Sequence, residues 1–212
     1  MDFEEWEPLY ERILDEFGFS RQADEEAARL LDSLLKKKDT YSLELLRRKL
    51  ANSVMVCGDA PRLEDELRSA DLSGVVIAAD GATSALLHHA GRVPDIIVTD
   101  LDGDVADQIS ASAQGAVIIV HAHGDNMSAL RRYVPRFPGK VMGTTQSRPF
   151  GRLHNFGGFT DGDRAVLMAR HLGATKITLL GFDFETPRSK EGRDAAIKQK
   201  KLAWARRLIF NE

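Results

Sequence analysis

Val75-Val76-Ile77-Ala78-Ala79 runs into Asp80-Gly81-Ala82-Thr83-Ser84, and Ile96-Ile97-Val98 runs into Thr99-Asp100-Leu101-Asp102-Gly103. These two stretches decide the fold. Each apolar run is short, rich in Val and Ile and without alternation, as expected of a strand covered on both faces. Each stops at a polar, glycine-containing turn, and an amphipathic stretch, Thr83–Ala90, lies between them. The unit repeats outward. Upstream, Ser53–Cys57 precedes Pro61–Ala70, with proline near a helix start. Downstream, the apolar runs Ala116–Val120, Val141–Gly143 and Ile177–Leu180 are spaced by the helical stretches Asp104–Ala113, Asp125–Val134 and Thr160–Leu172. A basic amphipathic helix, Glu191–Phe210, closes the chain, with Ile197, Leu202 and Leu208 apolar. This alternation implies an α/β fold, Rossmann-like, with a mostly parallel sheet and helices on both faces.

Residues 1–50 read as helix only. Trp6, Leu9, Ile13 and Phe17 step by three and four residues, which places them on one helical face, and Gly18 ends the pattern. Ala27, Leu30, Leu31, Leu34 and Leu35 form a second apolar stripe. The run Lys36–Lys38 at its end suits the helix dipole and reads as a solvated helix terminus. Asp39 or Thr40 is the expected cap of a third helix through Leu50. The expected organisation is a helical N-terminal region, 1–50, and an α/β catalytic domain, 51–212.

Composition excludes several classes. Of 212 residues, 43% are hydrophobic and 29% charged, enough for a sizeable core and against intrinsic disorder. A net charge of −3 argues against a nucleic-acid binder. The longest apolar runs are too short to span a bilayer, and the acidic start lacks the features of a signal peptide. A single cysteine, Cys57, excludes an internal disulfide and a multi-cysteine zinc site. A cytoplasmic location is expected.

The polar residues collect beyond the carboxyl ends of the strands, where open α/β sheets bind ligands. Asp100 and Asp102, two apart on an extended chain, would point the same way, and paired carboxylate oxygens suit Mg²⁺. The plainer alternative is a turn at Asp102-Gly103 with Asp104 capping the next helix; for Asp104 that cap is the expectation. The turn Asp80-Gly81-Ala82-Thr83 allows close backbone approach and anion binding at a helix start, or is simply a capped turn. His121-Ala122-His123-Gly124-Asp125-Asn126 resembles a metallo-β-lactamase zinc motif, but Asn126 stands where that motif has histidine, and no downstream histidine set follows. No P-loop and no Gly-x-Gly-x-x-Gly is present. The loop Gly157–Arg164 leads into a helix, with Thr160 and Asp163 spaced as a capping box.

These motifs, taken with Gly143-Thr144-Thr145-Gln146, Asn155–Arg164 and Gly181-Phe182-Asp183, occur in an order that resembles the archaeal 6-hydroxymethyl-7,8-dihydropterin pyrophosphokinases, themselves distantly similar to thiamine pyrophosphokinases. The resemblance covers roughly residues 50–205. It implies Mg²⁺-dependent transfer of the ATP diphosphate to a pterin hydroxymethyl group, release of AMP, and a place in tetrahydromethanopterin or folate synthesis. The partners it implies are ATP and a reduced pterin. On this reading Asp100, Asp102 and Asp125 are catalytic and hold the metal. Asp80, Gly81, Ala82, Thr83, His123, Gly124, Thr144, Gln146 and Gly181 hold the nucleotide. Asn155, Asp161 and Asp163 are candidates for the pterin. Phosphate charge would fall to Arg148, Arg164 or Lys198. The histidines of HAHGDN depart from the aspartate-rich loop of thiamine pyrophosphokinases, which argues against thiamine. A thiamine pyrophosphokinase-like enzyme, a sugar-nucleotide enzyme related to flagellar glycosylation proteins, a zinc hydrolase using HAHGDN and a non-enzymatic nucleotide-binding module are the alternatives. The N-terminal helices either cover the site or make a homodimer.

Overall fold

The computed structural model describes residues 1–186 and 195–211. Three helices come first: α1 (Phe3–Phe17), α2 (Arg21–Leu35) and α3 (Leu43–Leu50). Asp2 and Glu5 close a capping box at the start of α1, and Gly18 ends it in the left-handed conformation. The buried face of α1 is Phe3, Trp6, Tyr10 and Ile13, with Leu9 and Phe17 only half-buried. Ser20 caps α2 and Ser42 caps α3. Asp39 and Thr40 do not cap the third helix; the backbone from Asp39 to Tyr41 instead bonds to Val141 at the start of a strand, and Thr40 forms a parallel bridge there.

The rest alternates: β1 (Ser53–Cys57), α4 (Leu63–Leu67), β2 (Val75–Ala79), α5 (Ala82–His89), β3 (Ile96–Thr99), α6 (Val105–Ala113), β4 (Val117–Ala122), α7 (Met127–Tyr133), β5 (Val141–Thr145), β6 (Leu153–His154), α8 (Asp161–His171), β7 (Lys176–Leu180) and α9 (Ala195–Phe210). Of the expected last helix, residues 191–194 lie outside the described residues. All strand pairs are parallel, in the order β6-β5-β4-β3-β2-β1-β7. The chain builds outward from β1 to β6, then α8 carries it back so that β7 pairs with the free edge of β1. Two strands run further than their apolar runs: β4 includes His121 and Ala122, and β5 includes Thr144 and Thr145. The two-residue β6 carries no apolar run of its own.

Successive strand side chains alternate between faces. Val76, Ala78, Ile97, Ile118 and Val120 pack with α2, α4, α5, α6 and α7. Val56, Ile77, Ile96, Val98 and Ile119 pack with α3, α8 and the end of α9. The N-terminal helices therefore share both cores with the sheet. A third cluster joins Trp6, Tyr10 and Ile13 of α1 to Leu167 of α8 and Trp204 and Leu208 of α9. Among the described residues no helix is long and apolar enough to cross a membrane.

Candidate active site

Asp80, Asp100 and Asp102 offer oxygens that all lie within 4.8 Å of one another, at the carboxyl ends of β2 and β3. The pair Asp100/Asp102 does converge, but not through an extended chain. Leu101 between them has φ +70°, sends its side chain into the core, and is 4% exposed. Asp102 N–H donates to the Asp100 carboxylate at 3.2 Å, closing the turn. Asp80 also sits at positive φ, +42°. A left-handed leucine is rare and persists only where its surroundings over-determine it; here burial of the isobutyl group does so. Asp80 is 7% exposed, and its Oδ1 accepts from the Thr99 hydroxyl at 2.7 Å and the Gln108 amide at 2.9 Å. Burial, and then the charges of Asp100 and Asp102, push its carboxyl up to about 7. Glycines make room for this cluster: a Cβ at Gly103 would collide with the Asp80 carboxylate, and one at Gly81 would lie 2.6 Å from Asp59 Oδ2.

A cavity of about 280 Å³ opens beside Asp100. His121, His123, Gly124, Asp125 and Gln146 line it from the ends of β4 and β5, and Phe159, Thr160, Asp161 and Arg164 line it from the start of α8. Gly18, Phe19 and Ser20 come from the α1–α2 turn, Ala23 and Asp24 from the first turn of α2, and Lys201 from α9. Arg164 is 4% exposed; it donates to Asp161 at 2.8 Å, while its Nε has no partner among the described residues. Burial, then the Asp100 charge, raises the Asp161 carboxyl well above its ordinary value, against the pull of Arg164. Burial alone would raise Asp100 too. The hydrogen bond and charge of His123 and the charge of Arg164 outweigh burial there, and the net shift is downward. His123 Nε2 lies 3.4 Å from Asp100. His121 is held low by burial and then by the charges of Arg164 and His123, so it is neutral.

The other expected residues separate into lining and support. Asp125 lies on the exposed lip of the cavity, outside the carboxylate triad. Ala82 and Thr83 open α5 beside Asp80, and the hydroxyls of Thr83 and Ser84 are buried with no partner among the described residues. Gln146 lines the cavity, and Thr144 lies behind it, bonded to His121 Nδ1 at 3.0 Å. The Gly124 N–H is taken by Asp24, and a Cβ there would lie 2.7 Å from the Ala23 Cβ; helix packing requires this glycine. Gly181, at φ +65°, packs its backbone on Gly58 away from the cavity. Asn155 bonds Ser147 O and Gly157 N, bracing its own loop. Asp163 is fully buried and caps α8 through the N–H groups of Phe159 and Thr160. Arg148 is exposed and pairs with Glu7. Lys198 is not among the lining residues. Among the described residues, the histidines of HAHGDN join no group of three metal-ligating side chains.

Three contributors have no strand-end motif to announce them. Asp24, Phe19 and Lys201 lie on helices or a helical turn, where their types read as ordinary surface or core residues. Asp59 did have a signal, because Gly58-Asp59 follows β1 as the other polar turns follow their strands.

Comparison with known proteins agrees over the whole length of the chain. A relative from Methanothermobacter thermautotrophicus named 6-hydroxymethyl-7,8-dihydropterin pyrophosphokinase is 48% identical, with 99% of this chain and 94% of the relative aligned. Relatives of the same name from Pyrococcus furiosus and Methanocaldococcus jannaschii are 47% and 37% identical, again over 99% of this chain and over 93% and 95% of theirs. The model of one family, described as 6-hydroxymethylpterin diphosphokinase MptE-like, matches residues 27–189, which takes in the triad, α8 and the strand-end part of the cavity lining, but not the lining residues of α1–α2 and α9. On that match and those identities, the chain belongs to the MptE-like 6-hydroxymethylpterin diphosphokinase family.

Proposed function

We propose that this protein transfers the diphosphate of ATP to the hydroxymethyl group of 6-hydroxymethyl-7,8-dihydropterin, releasing AMP, in the cytoplasm and for tetrahydromethanopterin or folate synthesis. The observation that carries this reading is the carboxylate triad beside a buried arginine, in a chain of this family. Phosphoryl transfer asks mainly for positioning and charge stabilisation. The hydroxymethyl oxygen attacks the β-phosphorus, the bond to the α,β-bridging oxygen breaks, AMP leaves with that electron pair, and the hydroxyl proton passes to solvent.

Three carboxylates of mixed burial are a hard oxygen donor set that fits Mg²⁺, which keeps waters and phosphate oxygens in its shell. Asp80, Asp100 and Asp102 would hold it. Bound there, the cation would neutralise phosphate charge. Thr99 and Gln108 fix the Asp80 carboxylate, and His123 orients Asp100. Arg164, anchored by Asp161, offers a fixed cation to the phosphates from the cavity side. The glycine turn after β2 and the hydroxyls of Thr83 and Ser84, which have no partner among the described residues, favour the nucleotide on the α5 side.

The test is a panel assay. ATP and Mg²⁺ are offered with the dihydropterin, thiamine or sugar acceptors, and the nucleotide products are separated by chromatography. AMP with the pterin alone is the expected result; ADP as primary product, or turnover of another acceptor only, would refute the assignment.

The triad also sets a pH dependence. An unfolded aspartate titrates near 3.9, and Asp80 in the fold near 7. The folded state thus holds its proton longer than the unfolded one, so this group's contribution to stability falls as pH rises from about 4 to 7. Asp161, raised in the same direction, adds to the trend. Metal-free protein should show this loss in thermal melts, and the rise in melting temperature given by Mg²⁺ should be larger at pH 7.5 than at pH 5.5. Equal Mg²⁺ shifts at both pH values would remove Asp80 from the metal site.

A further inference from the structure

The cavity touches the metal triad through Asp100 alone; Asp80 and Asp102 do not line it. At about 280 Å³ it falls just below the range of ligand cavities, roughly 300–1,000 Å³ for drug-sized molecules. A nucleoside triphosphate exceeds it, whereas a flat bicyclic ring with one short substituent does not. Its walls differ in chemistry. Phe19, half-exposed on the α1–α2 turn, and Phe159 form an apolar corner, with ring centroids 6.3 Å apart and planes inclined by 53°. Lys201 Nζ lies 5.6 Å and 5.5 Å from the two ring centroids. On the exposed lip, the backbone N–H of Asp125 is 3.4 Å from His123 Nδ1. Its carboxylate stands apart from the triad.

We propose that this cavity is the acceptor subsite and that two of its residues determine specificity. Phe19, carried in by the N-terminal helices, is the apolar wall for the ring, and Asp125 accepts hydrogen bonds from the amino-pyrimidinone edge. The inference rests on the diphosphokinase reading above. A carboxylate matches a pair of parallel N–H donors, and an aromatic wall favours a flat ring over a flexible sugar. Placed there, the ring sends its hydroxymethyl arm toward Asp100, where the triad begins. The helices at the start of the chain then belong to the active site.

The experiment is steady-state kinetics of the full chain, varying the dihydropterin and ATP in turn and titrating Mg²⁺. Phe19→Ala should raise KM for the dihydropterin at least tenfold, with most of the loss in that KM and little in the KM for ATP. Phe19→Tyr should restore it, and Phe19→Leu serves if the alanine variant does not fold. Asp125→Asn should raise the same KM at least tenfold without changing the Mg²⁺ requirement. A rise in KM for ATP in the Phe19 variants would give the cavity to the nucleotide and overturn the proposal. A raised Mg²⁺ requirement in Asp125→Asn would make Asp125 a metal ligand and overturn its half. Wild-type protein that turns over other acceptors and no pterin would overturn the underlying reading, a failure visible before any variant is made.

Discussion

Asp100→Asn and Asp102→Asn proteins are expected to melt within a few degrees of the wild type and to turn over at least about 100-fold more slowly, a loss of about 2.7 kcal/mol at about 1.4 kcal/mol per decade. Both side chains stand at a strand end and reach solvent, so neither supports core packing. Each substitution removes one charge from the only triad of this kind among the described residues and leaves the shape intact. AMP release at saturating substrates measures the effect, and raising the Mg²⁺ concentration should recover part of it. Near-normal turnover in both variants would take the pair out of the mechanism.

Asp24→Ala is expected to give the largest loss of stability. Asp24 is 3% exposed on α2 and accepts three hydrogen bonds from three separate elements. Tyr10 of α1 donates at 2.6 Å, Gln146 after β5 at 2.9 Å, and the Gly124 N–H after β4 at 2.8 Å. Alanine leaves all three donors without this acceptor. A buried unsatisfied group costs about 1–3 kcal/mol, so a loss of about 3–5 kcal/mol is expected, with water reaching Gly124 more easily than the others. At about 2–4 °C per kcal/mol for a chain of this size, melting should fall by about 6–20 °C. Tyr10→Phe removes one donor together with its hydrogen bond and should lose only about 1 kcal/mol. Denaturant melts of the two variants check the ranking. A smaller loss for Asp24→Ala than for Tyr10→Phe would show that the three bonds do not act through Asp24. Gln146 and Gly124 line the cavity, so the same variant should lose activity at temperatures where it is still folded.

The alternating short apolar runs and amphipathic stretches determined the α/β class, the parallel sheet and five of the polar strand ends, because strand and helix periodicities are local properties of the chain. The resemblance carried by the ordered motifs determined the family. Boundaries drifted where a polar residue continued a strand, as His121 does in β4 and Thr144 in β5: pairing with the neighbouring strand, and not polarity, decides where a strand stops. Only the tertiary structure decided how the motifs share one site. Asp80 joins Asp100 and Asp102 because β2 and β3 are neighbours in register, whereas the turn after β4 meets Asp100 through His123 and Asn126 and leaves the Asp125 side chain exposed and outside the group. Gly181, Asn155 and Asp163 share motif positions with true lining residues, yet their atoms are committed to packing and caps, and which atoms remain free depends on the partners that folding supplies. Asp24, Phe19 and Lys201 were illegible for the same reason. Each is an unremarkable helical or turn residue until α1, α2 and α9 pack against the strand ends, and contacts that place them span 100 residues of sequence or more, a distance over which local patterning carries no information.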